Sequence, residues 1–165
     1  MLSIAELNSM EHEAFMATVG HIFENTPELM EQVAQERPFL DFADLYAKMT
    51  QGVANLNTEA QLALIRAHPD LGTKAKIGQF STLEQKSAGL DQLTVTEFEE
   101  FHRLNGAYKQ RFGFPFVMAV KGKTAGEIRD QLRLRLGCSL EEERQEAIAQ
   151  ILKIAQFRLQ DLIQP

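Results

Sequence analysis

Apolar residues along this chain recur mainly at steps of three and four. Phe98, Phe101, Leu104, Tyr108 and Phe112 form one such stripe, ending at Gly113, and Ile148, Ile151, Leu152, Ala155, Leu159 and Ile163 form another near the C-terminus. A turn of 3.6 residues brings these positions onto one side of an α-helix, so both stripes are expected to pack inward. Helix starts are marked by a capping oxygen three residues before an acid or amide that can reach back. Asn8 with Glu11, Thr58 with Gln61, Ser81 with Glu84, Thr96 with Glu99, Thr124 with Glu127 and Ser139 with Glu142 all fit. Thr26-Pro27 is a further start, because proline at the first helical position loses an N–H that had no partner anyway. Pro38, Pro69, Gly89 and Gly137 follow as stops. The pattern predicts an all-α fold, a single-domain bundle of about eight helices over residues 1–165.

One stretch departs from the helical period. "FGFPFVMAVKG", Phe112 to Gly122, surrounds Pro115 with aromatic and β-branched residues and carries glycine near both ends, so an extended segment is expected near residues 113–121. A helical protein offers it no strand partner. Its buried N–H and C=O groups must then be met by side chains, water or a ligand.

Composition narrows the functions available. The 165 residues are 44% hydrophobic and 24% charged, ordinary for a folded globular chain. The net charge of -6 leaves no cationic excess for a phosphate backbone or an anionic bilayer, so neither nucleic acid nor membrane is an expected partner. No segment is apolar enough to span a bilayer, no secretory leader or Ser-Lys-Leu ending is present, and the lone Cys138 permits no internal disulfide. The expected location is the cytoplasm.

The familiar signatures of metal, nucleotide and acyl-transfer chemistry are missing: there is no HExxH, no CxxC, no glycine-rich phosphate loop and no nucleophile elbow. Four histidines remain. His12, His21 and His102 lie in Glu-rich helical runs and read as surface or packing residues. His68 directly precedes Pro69, which places its imidazole where helix gives way to loop, either interacting with the helix's negative end or serving as a proton-transfer group. Ser81 and Glu84 read first as a capping box, yet a helix N-terminus also suits an anionic ligand, and Gln85 adds an amide that both donates and accepts. Arg158 borders the last apolar stripe, where a guanidinium would engage a carboxylate of a substrate or of this chain.

Taken together, "LIRAHPDLG", "STLEQKSAGLDQL", "YKQRFGFPFVMAVKG" and "IAQFRLQDLI", with the N-terminal "LNSMEHEAFMATVGHIFENTPELMEQVAQERPF", resemble the 2-oxo-4-hydroxy-4-carboxy-5-ureidoimidazoline (OHCU) decarboxylase family over nearly the whole chain. The resemblance implies a helical homodimer that needs no metal or other cofactor and converts OHCU to (S)-allantoin and CO2, the last step from urate to allantoin. It implies His68 and Glu84 as catalytic residues. Pro69, Ser81, Gln85, Phe116, Val117, Met118, Ala119, Val120 and Arg158 would bind substrate. Thr73-Lys74 departs from the glycine found there in many relatives. Loss of CO2 would leave a carbanion spread onto a neighbouring oxygen, stabilised by backbone N–H groups of residues 116–120 and protonated by His68. The competing class is a non-enzymatic helical interaction module with "FGFPFV" as an exposed docking strip.

Overall fold

The N–H groups of a helix's first turn have no partner within the helix, so each start is set by whichever side chain can accept from them. The computed structural model describes residues 1–72 and 79–165. Among these it is all-α, with nine helices: α1 (Ile4–Ser9), α2 (His12–Val19), α3 (Pro27–Ala34), α4 (Phe42–Ala54), α5 (Thr58–Arg66), α6 (Gln79–Ser87), α7 (Val95–Phe112), α8 (Ala125–Arg135) and α9 (Leu140–Leu162). Among the described residues the one β-type pairing is an isolated parallel bridge between Leu2 and Ile163. No helix among the described residues is long and apolar enough to cross a membrane.

The expected caps are right at α3, α8 and α9 and displaced elsewhere. Pro27 opens α3, Thr124 and Glu127 form the box of α8, and Ser139 and Glu142 that of α9. At α7 the box is Thr94 with Glu97, two residues earlier than Thr96 with Glu99. At α5 the cap is Asn57, one residue before Thr58. Two helices had no predicted start: α1, only six residues long, opens from a Ser3–Glu6 box, and α4 from Asp41, whose side chain accepts from Asp44 N–H. Asn8 caps nothing; its amide clips both backbone groups of Phe39, at 2.8 and 2.9 Å. Ser81 lies inside α6, which already runs from Gln79, so Ser81 and Glu84 do not form a capping box. The reason is common to all: several Ser, Thr and Asn residues cluster at each start, and packing of the apolar face selects among them.

The chain divides into two compact units, Met1–Ala67 with Leu152–Pro165, and His68–Ile151. In the first, α3 packs on α2 and α4, and Leu7, Phe15, Met30, Leu45 and Met49 are buried. Arg158 is buried here too, at 2% exposure, its guanidinium 3.0 Å from the Glu24 carboxylate and donating to the Ile22 carbonyl at 3.0 Å. In the second unit α7 packs on α8. Phe101, Leu104, Tyr108 and Phe112 are buried as the stripe predicts, while Phe98 is half-exposed. On α9, Ile151, Ala155, Leu159 and Ile163 are buried, but Ile148 and Leu152 are only partly so, and the innermost line runs through Glu143, Ala147, Ile151, Ile154 and Arg158. Gly113, at φ 77, ends α7 in the left-handed conformation that a side chain disfavours. Residues 114–124 contain no helix or strand.

The Thr94 backbone N–H and hydroxyl hold the Glu97 carboxyl below its ordinary value. Thr94→Ala is expected to lower stability by about 1 kcal/mol and Thr96→Ala by no more than a few tenths, as read by chemical denaturation. Arg158→Met, which strands the Glu24 carboxylate, is expected to cost about 3–5 kcal/mol, and Arg158→Met with Glu24→Leu to recover most of it; thermal melts of the two variants check this.

Candidate functional site

The second unit opens with the turn His68-Pro69-Asp70-Leu71-Gly72. Helix α5 stops at Arg66, with Ala67 as its C-cap, and Pro69 cannot continue it. His68 thus stands just past the helix end, as expected. At 8% exposure it is buried, whereas His12, His21 and His102 are exposed.

Three side chains tie this turn down. Asn105 of α7 donates to the Leu71 carbonyl at 2.8 Å, and Gly72 N–H donates to Gln85 Oε1 of α6 at 3.0 Å. Those two backbone groups belong to one peptide, so a planar trans unit is gripped at both edges by buried amides. Lys109, one helical turn beyond Asn105, pairs with Asp70 at 3.1 Å. Gly72 has φ +70, and a Cβ there would lie 3.1 to 3.2 Å from the Leu93 and Phe101 side chains, so the turn sits against them with no room for a larger residue.

The two amides are left half used. Gln85 is 6% exposed and its Nε2 has no hydrogen-bond partner; Asn105 is 4% exposed and its Oδ1 has none. On α6, Ser81, Gln85 and Ala88 share the buried face at steps of four and three, and Glu84 is partly buried beside them. The helix ends cleanly: Gly89 at φ +75 lets Leu90 N–H reach the Gln85 carbonyl at 2.9 Å. The Thr73-Lys74 departure lies outside the described residues.

The stretch "FGFPFV" is held by the same helix that grips the turn. Tyr108, three residues beyond Asn105 on α7, stacks edge-on against Phe116 at 5.5 Å and Phe114 at 6.0 Å. Positions three apart share a helix face, so the turn and the extended segment meet the same side of α7. Phe114, Phe116, Val117, Ala119 and Val120 are buried and Met118 partly so. This removes the exposed docking strip of the competing reading. Ala119 N–H is not a free donor: it is taken by Gln150 Oε1 at 2.9 Å. Among the described residues, the N–H groups of Phe116, Val117, Met118 and Val120 have no hydrogen-bond partner.

Behind the segment lies a cluster that the sequence reading missed. Arg135 of α8 donates to the Val117 carbonyl at 2.7 Å, its guanidinium stands 4.5 Å over the Phe116 ring, and Glu143 of α9 pairs with it at 2.9 Å. The Tyr108 hydroxyl donates to the same carboxylate. Burial, and then that bond, push the Tyr108 phenol far above its ordinary value, so it remains a donor. A signal for both charges was present: Arg135 continues the apolar step Ile128, Leu132, and Glu143 precedes Ala147 and Ile151 at the same spacing. A charge on an apolar stripe needs a buried partner.

The structure thus brings the His68 turn, Gln85, Asn105 and the 116–120 segment onto α6 and α7 of one unit. Arg158 belongs to the other unit, where it is paired with Glu24.

Comparison with known proteins identifies the family. The family model described as OHCU decarboxylase matches residues 8–160. The Bacillus subtilis uric acid degradation bifunctional protein PucL is 45% identical over 99% of this chain, which spans only 33% of that protein. A second bifunctional uric acid degradation protein, from Bacillus sp., is likewise spanned over 32% of its length, so this chain is about a third as long as those two relatives. The OHCU decarboxylase of Halalkalicoccus jeotgali is 37% identical over 99% of this chain and 93% of its own. Among solved structures, an (S)-allantoin synthase superposes with a TM-score of 0.81 at 28% identity, over 99% of this chain and 54% of that one. An OHCU decarboxylase crystallised in the presence of (S)-allantoin has the same fold, with a TM-score of 0.73 at 22% identity over 92% and 98%. With a family model spanning almost all of the sequence and a relative of matching length at more than a third identity, this chain belongs to the OHCU decarboxylase family.

Proposed function

We propose that this chain decarboxylates OHCU to (S)-allantoin and CO2, using His68 to move a proton and the donors around it to carry charge. The observation that supports this best is the set of donors without protein acceptors: Gln85 Nε2 in the buried face of α6, and the N–H groups of Phe116, Val117, Met118 and Val120. A folded protein rarely leaves such groups unmet, and an anionic, carbonyl-rich substrate meets them.

The chemistry follows from the substrate. When the carbon–carboxylate bond breaks, its electron pair enters the polarised ring as an enolate-like anion, so the substrate provides its own electron sink and no metal or organic cofactor is called for. His68 takes the neighbouring hydroxyl proton and returns a proton to carbon from one side, which yields a single enantiomer; one proton from solvent balances the lost carboxylate charge. Pro69 holds the imidazole at the helix end. Glu84, partly buried one step from Gln85, accepts from substrate N–H or hydroxyl groups and keeps the scissile carboxylate out of the ring plane, while Ser81 and Gln85 hold the ureido arm. The backbone of Phe116, Val117, Met118 and Val120 faces the developing charge. Ala119 contributes its place in the segment and no N–H, since Gln150 occupies that donor. A substrate-binding share for Arg158, a homodimer, a cytoplasmic location and a single catalytic domain over residues 1–165 are part of the proposal on the family resemblance.

The decisive assay follows freshly generated OHCU by chiral detection of allantoin. His68→Asn is expected to lose about 10²- to 10⁴-fold in kcat with its melting point kept; undiminished (S)-allantoin formation would reject the assignment. Glu84→Ala is expected to lose activity in a folded protein, because the residue caps no helix. Gln85→Glu retains an acceptor for Gly72 N–H but replaces the unmet donor by a buried negative charge, so KM is expected to rise at least tenfold and the melting point to fall. A wild-type KM in that variant would remove Gln85 from the substrate site.

A further inference from the structure

We infer that the buried cluster of Arg135, Glu143 and Tyr108 is a positioning device for the reaction, gripping the Val117 carbonyl so that the Met118 N–H is presented to the reacting anion. This rests on the reading above, in which the bare N–H groups of the segment face the substrate.

The geometry of the peptide carries the argument. Val117 C=O and Met118 N–H belong to one planar trans unit, so they point in opposite directions. Arg135 Nη1 holds the carbonyl at 2.7 Å, and the N–H is thereby aimed away from Arg135; it is one of the donors without a protein partner. The next peptide is pinned from its other edge. Ala119 N–H donates to Gln150 Oε1 at 2.9 Å, and Gln150 Nε2 donates to Glu146 at 2.8 Å, which fixes the orientation of that amide. Met118 therefore sits between two peptides whose rotation is locked by side chains of α8 and α9.

Arg135 is itself held by its partner carboxylate through Nε, while its Nη2 is close to that carboxylate without making a directed hydrogen bond. Its Nε donates to both Glu143 oxygens, at 3.1 and 2.9 Å, Nη2 lies 2.9 Å from Oε2, and Tyr108 donates to that same oxygen. The Phe116 ring supports the guanidinium face at 4.5 Å. A cation on a carbonyl oxygen polarises the whole peptide, making the N–H at its far end a stronger donor toward negative charge. A buried ion pair brings little net stability over apolar residues of the same size, so a buried guanidinium that spends Nη1 on a backbone carbonyl makes better sense as a device for geometry.

The test uses the full chain and two variants. Arg135→Met with Glu143→Leu removes the pair as a unit, which a purely structural ion pair tolerates. The expected result is a melting point within a few degrees of wild type, KM for OHCU changed by less than about threefold, and kcat lowered about 10²- to 10³-fold, the range for losing one oxyanion donor. A folded double variant with wild-type kcat would overturn the proposal. Should that variant not fold, Arg135→Lys decides: it keeps the charge but not the planar fork, and about a tenfold fall in kcat at constant KM is expected, whereas an unchanged kcat overturns the inference. The Met118 amide resonance gives a readout independent of turnover. It is expected to move in Arg135→Lys without any ligand, and a resonance at the wild-type position counts against the device even if the protein acts on another substrate. Wild-type protein that leaves OHCU untouched, with the Met118 resonance displaced as expected, would instead sink the functional reading and leave the positioning intact.

Discussion

Backbone polar groups that leave a helix inside a protein must find partners, and this requirement organises the second unit of the molecule. The chain abandons helical hydrogen bonding at two buried places there, the His68–Gly72 turn and the Phe114–Val120 segment. In each, particular side chains grip particular peptide edges: Asn105 and Gln85 at the turn, Arg135 and Gln150 at the segment. What they leave unmet is specific, a run of N–H groups with one amide donor and one amide acceptor. The proposed site is what that accounting leaves over.

Helix α7 makes the accounting possible. Its successive turns present Asn105, Tyr108 and Lys109, of which the first and last fasten the turn and the middle one packs on Phe116 while bonding Glu143. A rigid helix with a rise of 1.5 Å per residue sets these contacts in fixed relation, so a histidine on a turn and a loop of bare amides acquire the precision of regular structure. The aromatic residues Phe112, Phe114 and Phe116 around Tyr108 exclude water from the ion pair, and polar contacts gain strength where water is excluded.

Much of this was legible in advance. The helical period, the stops at Pro69, Gly89 and Gly113, the distinction of His68 from the three other histidines and the non-helical nature of residues 113–121 all follow from spacing and turn chemistry. The errors were local. Ser-x-x-Glu is the signature of a cap, but α6 starts earlier and buries Ser81 on its inner face. Thr94 with Glu97 and Thr96 with Glu99 are equivalent pairs side by side, and α7 starts from the first. Arg135 and Glu143 escaped notice because a lone charge in a helix usually faces solvent, and their place on an apolar stripe had to be weighed against that habit.

Local chemistry along the chain sets the elements and the inventory: an acidic helical chain with one extended apolar stretch, one histidine at a helix end, and an ordered set of motifs that resembles a decarboxylase family. These are properties of neighbours within about four residues, where periodicity, capping and proline sterics act. Which partner each polar group takes was decided only by tertiary structure. Arg158 meets Glu24, Arg135 meets Glu143 and Val117, and Asn105 meets Leu71, across separations of 8 to 134 residues. No local pattern encodes such pairings, because they are chosen by the packing of whole helices.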